Sequence, residues 1–526
     1  MTEKNTPALP VGIFNFENLR RRGFAYADKT DILLNLADGP GRYFLSRPRR
    51  FGKSLTLSTL DAMFSGKAEL FRGLAAEEWV KRQAAHPCPV LRIDMSTRKT
   101  NTPEGFETSL LNLLQMIGDD WGVEPRPTEG CGDFFERLIR SVYRQAGPVV
   151  VLIDEYDKPV LDNLQNQEMA EAMRRALRSF YTVVKGCEDY LRFVLLTGIS
   201  KFTKMGVFSA INNLSDISMD KEFGTLCGYT QAELENDFDG WIDATAAALG
   251  LSREELLIKA KEYYDGFSFD GVTRVYNPFS MLQFFQKAAF RNYWYESASP
   301  SFIPEYLKRH HEFSLEKFRH TMVSELFIGA HEIEQAAPES FLFQAGYLTI
   351  EKVQDQLLTL DYPNKEVLDS LSAMYAASVY KIDKPDLTAY SLWQAFANGD
   401  VDQVKLLFNA ALASMPYDLF TKADEGFYKA VFLALLRGAG IKSMGEVHSS
   451  RGRSDVEVVT PSRVFVIEFK TAPGQKRAAP LTIAALEQIE TQGYAEKYAA
   501  EGREVVKTAF VVDLEKRAVQ ASDSKT

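Results

Sequence analysis

Apolar residues along this chain switch between two spacings, and the switches mark out its elements. In the first third, short apolar runs alternate with stretches whose apolar positions recur every three or four residues. That is the rhythm of a parallel α/β sheet. Tyr43–Leu45 predicts a short strand, Ser54–Phe64 an amphipathic helix and Val90–Asp94 a second strand. Helical periodicity runs through Phe106–Ile117 and Phe134–Tyr143. Val149–Ile153 is an unbroken apolar run, the pattern of a strand buried on both faces. Met169–Val184 predicts another helix, and Leu191–Thr197 a fourth strand.

From about Glu222 to His320 the pattern turns helical and aromatic, with turn-bearing segments at Tyr263–Phe267 and Val275–Phe279. Ser324–Met415 reads as mainly helical, with a strand pair near Tyr347–Ile350 and Leu357–Leu360. After Asp424 the order is a helix (Glu425–Leu436), a strand (Ser443–His448) and a hairpin of Asp455–Val459 and Arg463–Lys470 turned at Thr460-Pro461-Ser462. A helix (Ala484–Ala499) and a strand (Val505–Val512) follow, and the polar end Ala521–Thr526 is expected to fray.

A chain of 526 residues exceeds one core, since cores stop growing near ~250–300 residues, so two or three domains are expected. Hydrophobic residues at 45% and charged residues at 25% are ordinary for a folded soluble protein. No stretch approaches the ~18 uninterrupted apolar residues of a membrane span, and Met1–Pro10 lacks the apolar core of a signal peptide. The expectation is a cytoplasmic protein with no membrane partner. Cys88, Cys131, Cys187 and Cys227 lie far apart, which offers neither a zinc site nor a disulfide framework and predicts buried, reduced thiols. The net charge of −10 counts against a general attraction to nucleic acid. Local basic patches exist all the same, at Arg47, Arg49, Arg50 and Lys53 and at Arg451 and Arg453.

Phosphate binding asks for inward-pointing amides, a lysine on the terminal phosphates and a hydroxyl on magnesium. Tyr43–Ser46 leads into Arg47-Pro48-Arg49-Arg50-Phe51-Gly52-Lys53-Ser54, and a helix opens directly afterwards. Gly52, Lys53 and Ser54 match the end of a phosphate-binding loop, whereas Arg47 stands where the general pattern has its first glycine. Asp154 ends the buried strand, placed to hold Mg2+, and Glu155 is placed to activate the attacking water. Read alone, the two acids also fit a solvated strand exit. Thr197, with Ser200, is either a polar contact to the γ-phosphate or a simple strand cap, and Lys201 is a further candidate for a phosphate.

At Tyr26-Ala27-Asp28-Lys29-Thr30, Ser46–Leu55 and Ile153-Asp154-Glu155-Tyr156-Asp157-Lys158-Pro159 the chain resembles the AAA-ATPase-like family of bacteria and archaea, over about Pro10–Phe290. That family commonly carries arginine and proline in the loop. The resemblance implies a P-loop NTPase parallel sheet over 10–220 and a helical lid over 221–320, with ATP and Mg2+ as ligands. Arg49, Arg50, Phe51, Gly52, Lys53, Ser54, Asp154 and Thr197 would then serve the nucleotide. Arg174 and Arg175 are candidates for an arginine finger. Residues 321–423 carry no catalytic constellation and read as a helical connector.

In the C-terminal hairpin, residues two apart share a face. Glu468 and Lys470 therefore project together, and the short turn brings Asp455 alongside them. Asp455, Glu468 and the carbonyl of Phe469 form a candidate Mg2+ site, and Lys470 would orient water or stabilise developing charge. Arg451-Gly452-Arg453-Ser454-Asp455, Ile467-Glu468-Phe469-Lys470 and Ala485-Leu486-Glu487-Gln488-Ile489 with Tyr494 resemble the PD-(D/E)XK nuclease superfamily, in the branch often fused to the ATPase-like domain. The resemblance spans about Asp424–Val512 and implies a restriction-endonuclease-like α/β domain over 424–515. Glu425 matches the acid that supplies a further metal contact, or is a solvated helix start beside Asp424. Gln488 matches a helix glutamine near the site. His448 reads as a strand-edge residue. Arg451 and Arg453 would position phosphate.

The first functional expectation is an ATPase coupled to a Mg2+-dependent nuclease acting on DNA, with Mn2+ workable at the nuclease site, in mobile-element or defence biology. The second is a nucleotide-switched nucleic-acid-binding or signalling protein whose nuclease-like domain does not cleave. A third is an ATPase whose C-terminal domain regulates it toward protein partners. Assembly into homo-oligomers is common among such ATPases but not compelled by these residues.

Overall fold

The computed structural model describes residues 6–525 except 40, 99–101, 165, 202–213, 299–302, 304–305, 308–313, 329–335, 422, 450, 473–477 and 499–501. The chain divides into two compact units, 1–298 with 320–365, and 299–319 with 366–526. The segment 321–423 is thus divided at Lys365.

The first unit is built on a parallel sheet of β1 (Arg42–Ser46), β2 (Val90–Asp94), β3 (Val149–Asp154), β4 (Leu191–Gly198) and β5 (Ser215–Asp216), in the order β2-β3-β4-β1-β5. β3 is buried along its whole length, as its uninterrupted apolar run requires of a strand covered on both faces. Helix α1 (Lys53–Phe64) follows β1 directly; α2 (Cys131–Ala146) and α3 (Gln167–Gly186) bury one face each into the core. There Phe135 and Phe180 stack at 4.8 Å between centroids. Beyond the sheet, helices such as Gln231–Asp237, Arg253–Tyr264 and Pro278–Lys287 pack an aromatic cluster around Tyr264, Phe284 and Phe285. Two of these helices begin with capping boxes, at Thr230 and Ser252.

A three-stranded antiparallel sheet completes this unit, β6 (Thr321–Ser324), β7 (Thr349–Gln354) and β8 (Leu357–Asp361), in the order β6-β8-β7. The pattern had marked the second and third strands and missed the first. Thr321–Ser324 is only partly buried, so it carries little apolar signal. At one end His320, Glu351 and Asp361 bring ligand-type atoms within 4.8 Å of one another. His320 and Glu351 are exposed and hydrogen-bonded to each other at 2.7 Å. Helix α4 (Pro338–Ala345) packs in the same unit.

The second unit holds the mixed sheet β9 (Lys442–His448), β10 (Arg453–Val459), β11 (Arg463–Ala472), β12 (Glu504–Asp513) and β13 (Ala518–Lys525), ordered β13-β12-β11-β10-β9. β11 and β12 are parallel and the other neighbours antiparallel. Helices α5 (Glu425–Gly438) and α6 (Ala478–Thr491) belong to this unit. α6 begins and ends earlier than the periodicity indicated. Residues alternate along β11: Val464 and Val466 join α6 residues Ala485, Leu486 and Ile489, while Phe469 meets Phe432 of α5 and Phe510 of β12 at 5.6 Å each.

Two expectations are corrected here. Residues 521–525, expected to fray, form the outer part of β13, paired with β12 from Lys507↔Lys525 to Asp513↔Ala518. An edge strand needs backbone partners on one side only, so a polar sequence suffices. Of the four cysteines, Cys187 and Cys227 are buried, whereas Cys88 and Cys131 are only partly so, and all four are free. No helix of the described residues is long and apolar enough to cross a membrane.

Candidate functional site

The first site lies at the C-terminal ends of β1, β3 and β4. β1 runs into the loop at Arg47, and α1 opens at Lys53 after Gly52 at φ 97°, a left-handed turn that disfavours any side chain. Because β4 lies between β1 and β3, its end is brought beside the carboxylate that closes β3. Ser54 Oγ donates to Asp154 Oδ2 at 2.6 Å, and Thr197 Oγ1 donates to Asp154 Oδ1 at 2.7 Å. Both carboxylate oxygens are therefore held by neutral hydroxyls. Thr197 is wholly buried and does not line the cavity, so its hydroxyl orients Asp154.

Glu155, next in sequence, is half-buried and lies at φ 51°. Burial pushes its carboxyl above the ordinary range; Asp157 and Asp154 push the same way, and Lys53 and Arg49 oppose them. Lys53 Nζ donates to the carbonyls of Arg47 and Pro48 at 2.9 and 3.1 Å. Beside these groups opens a cavity of about 620 Å³, within the usual range for small-molecule sites. Its lining includes the polar Lys53, Ser54, Asp154 and Glu155 and the aromatic or apolar Tyr26, Tyr229, Phe279 and Leu282. Arg49 and Phe51 also line it, and the Arg50 guanidinium sits 4.9 Å from the Phe279 ring centroid.

Arg47 points elsewhere. Its guanidinium is 1% exposed and donates to the carbonyls of Ser46, Ser218 and Phe223 at 2.9, 2.6 and 3.0 Å, with the Phe269 ring at 4.1 Å. It ties the loop to the segment after β5 and takes no part in the basic cluster grouped with it by sequence. Lys201 likewise faces Asp216 at 3.4 Å, and its amide donates to Gln344 of α4 at 2.5 Å. Ser200 is bound by Asp157, whose Oδ2 accepts from Ile199 N, Ser200 N and Ser200 Oγ. Gly198 permits that approach, because a Cβ there would stand 2.5 Å from Tyr156. Arg174 is buried, with Nη1 3.1 Å from Glu171, and Arg175 is exposed; neither lines the cavity.

The second site lies where the hairpin meets α5 and α6. Phe469 N donates to Asp455 Oδ2 at 2.8 Å, so Asp455 of β10 lies alongside the Glu468–Lys470 stretch of β11, where the hairpin was expected to bring it. Lys470 Nζ donates to Glu468 Oε1 at 2.8 Å, and Gln488 Nε2 donates to the same oxygen at 2.5 Å. Glu468 is 2% exposed, and its Oε2 is buried without a hydrogen-bond partner. Burial, reinforced by Asp455, pushes its carboxyl up to about 7. Glu425, on the first turn of α5, is also raised by burial first and by Asp455 next.

Two residues at this site escaped the sequence reading. Lys429 Nζ lies 2.8 Å from Asp455, 3.1 Å from Glu446 and 3.6 Å from Glu425. Lys429 follows Glu425 by four residues, a spacing that put both on one helix face. Glu446 carried no such signal, because its place depends on the pairing of β9 with β10. Arg451 and Arg453, read as phosphate contacts, lie against Glu496 at 3.2 Å and Glu446 at 2.5 Å. His448 is an exposed end of β9. The residues fit a divalent cation: carboxylates from several elements are gathered around two lysines, and one buried oxygen lacks a partner.

Residues 10–208 match the family described as "Predicted AAA-ATPase", and residues 423–522 match the PD-(D/E)XK nuclease superfamily. An Azotobacter chroococcum mcd 1 protein, described as "Uncharacterized protein in vnfD 5'region", is 36% identical over 518 residues, spanning 94% of this chain and 95% of that protein. Among solved structures, the Aeropyrum pernix ORC1 protein in complex with DNA is 12% identical, with a TM-score of 0.26 over 82% of this chain and 88% of that one. The Aeropyrum pernix ORC2 protein, in ADPNP–ADP complexes, is 12% identical, with a TM-score of 0.29 over 84% and 90%. With both domains matched in order and a full-length relative at this identity, the chain belongs to the AAA-ATPase-like proteins that carry a C-terminal PD-(D/E)XK nuclease-superfamily domain.

Proposed function

We propose that this protein is an ATPase coupled to a metal-dependent nuclease that hydrolyses DNA phosphodiesters. The observation that carries the reading is the linked set of Asp455, Glu468, Lys470, Gln488 and, through Lys429, Glu425 beside the hairpin, with a buried Glu468 oxygen left without a partner. A protein that only grips nucleic acid has no need to hold two carboxylates together against their repulsion. Asp455, Glu468 and the Phe469 carbonyl would hold Mg2+ or Mn2+, which supplies charge neutralisation at the phosphate and a more acidic water. Gln488 fixes the Glu468 carboxylate. Lys470, which is partly buried, stabilises charge that develops on the phosphate oxygens.

At the other site, Lys53 would leave the loop carbonyls for the terminal phosphates of ATP, and Ser54 and Asp154 would hold the accompanying Mg2+. Glu155 accepts the proton of the attacking water, a task that its raised affinity for protons favours. Thr197 keeps Asp154 oriented. The apolar part of the lining suits a nucleobase, with Arg50 and Phe279 at its side. Coupling of the two activities rests on both sites standing in one chain.

The test is a cleavage assay on supercoiled, linear and single-stranded DNA with Mg2+ or Mn2+, beside Asp455→Ala. Metal-dependent cutting that disappears in the variant is the expected result. No cutting of any substrate while ATP is still hydrolysed overturns the nuclease and leaves a nucleotide-switched binding protein.

A further inference from the structure

We propose that Lys429 is a built-in counter-cation that holds the place of the divalent ion in the metal-free nuclease site, and that Glu446 is a further acidic ligand of that site. The inference rests on the metal-dependent reading above and deepens it. Three observations carry it.

The first is the strand register. β9 pairs with β10 through Ser454↔Val447 and Val456↔Gly445, and β10 pairs with β11 from Val456↔Ile467. Asp455 and Glu446 are the residues left between those two pairs, and Asp455 precedes the first β10–β11 pair, so Asp455, Glu446 and Glu468 occupy neighbouring positions of the sheet. Neighbouring like charges in a sheet are destabilising, so these acids call for positive charge beside them.

The second is the position of the Lys429 ammonium. It contacts carboxylates from α5, β9 and β10, namely Glu425, Glu446 and Asp455, at 3.6, 3.1 and 2.8 Å. Its side chain is 15% exposed. Three acids from three elements thus share one cation, and carboxylate oxygens are the donors that a hard cation takes. Glu446 reaches that point from a left-handed backbone, φ 53°, unfavourable for a residue with a side chain.

The third is independent of both. Glu468 is 2% exposed and has a buried oxygen with no hydrogen-bond partner. The two lysines do not complete the site. Lys470 serves Glu468 Oε1, and Lys429 serves Asp455, Glu446 and Glu425. A divalent ion supplies the missing charge, and Lys429, which lies against Asp455, must give way to it.

The experiment is Mn2+ binding to the full chain without nucleotide, followed by calorimetry and by the electron paramagnetic resonance of free Mn2+, with Asp455→Asn as the blank. Lys429→Met should bind Mn2+ about tenfold or more tightly than the parent, since a unit charge a few ångströms from the ion is removed. Its melting point in EDTA should fall and return with Mn2+, and Lys429→Arg should stay near the parent. Glu446→Gln should bind about fivefold or more weakly, and this variant tests the proposal even where Lys429→Met does not fold. Equal or weaker binding by Lys429→Met, or unchanged binding by Glu446→Gln, with binding still lost in Asp455→Asn, overturns this inference and leaves the nuclease reading standing. No Mn2+ binding by the parent or by any variant overturns the metal site itself.

Discussion

The two sites of this chain solve one electrostatic problem in opposite ways. At the ATPase-like site the key carboxylate, Asp154, is satisfied by the neutral hydroxyls of Ser54 and Thr197. Its neighbouring cation, Lys53, rests on backbone carbonyls. At the nuclease-like site the carboxylates are held by ammonium groups, Lys429 on Asp455 and Lys470 on Glu468. A site held by neutral donors persists without its ligand, whereas a cluster of acids depends on cations and is sensitive to their loss. Aromatic packing reinforces the contrast, since Phe51 of the loop is wedged edge-on against Phe267 and Phe269.

The largest effect expected from this comparison is on catalysis. Asp455→Ala should lower DNA cleavage about 10³-fold or more, the scale of losing a principal electrostatic group, and leave ATP hydrolysis intact. Steady-state assays of both activities on one preparation check it, and a parallel loss of ATPase would show that the sites do not behave separately.

The next prediction concerns pH and the metal-free protein. Glu468 takes up its proton near pH 7 in the folded chain, against 4.5 for the ordinary group. The folded state therefore binds more protons than the unfolded state between those values, so stability falls as pH rises from about 4.5 through about 7. The loss is on the order of 3 kcal/mol from a shift of this size. In EDTA, denaturant melts of the second unit should show that fall, and Glu468→Gln should flatten it. A profile unchanged by the variant would contradict the assignment.

Arg47→Ala should destabilise the first unit by about 3 kcal/mol, because three buried carbonyls lose a charged donor. If the variant instead keeps its stability and loses only ATP affinity, Arg47 belongs to the phosphate site after all. Gln488→Ala should weaken Mn2+ binding about 10-fold to 100-fold, the usual cost of losing a group that orients a ligand, as titration of Mn2+ would report. The smallest effect is expected at Thr197→Val. It removes a single neutral donor from Asp154 and should cost about 1 kcal/mol in Mg2+-dependent ATP binding.

What was legible in the sequence followed from local rules. The run Val149–Ile153 announces a doubly covered strand, and Glu468 and Lys470 share a face because they lie two residues apart. Gln488 lies on the helix that faces them, and its contact agrees with the motif. What was illegible depends on long-range register or side-chain direction. Glu446 gains meaning only when β9 pairs with β10, and Arg47 counts with the basic patch until its guanidinium is seen turned onto Ser218 and Phe223. β13 escaped because its outer residues are polar, and a sheet edge asks for backbone bonds rather than apolar side chains.

The central claim is that one chain joins a nucleotide site to a DNA-cutting site. The most direct measurement is the single-turnover cleavage rate of a labelled DNA duplex in Mg2+, with and without ATP, in the parent, Lys53→Ala and Asp455→Ala proteins. The account predicts cleavage by the parent that changes with ATP, cleavage by Lys53→Ala that does not, and none by Asp455→Ala. Identical rates for Lys53→Ala and the parent under both conditions would contradict the coupling, and undiminished cutting by Asp455→Ala would contradict the site.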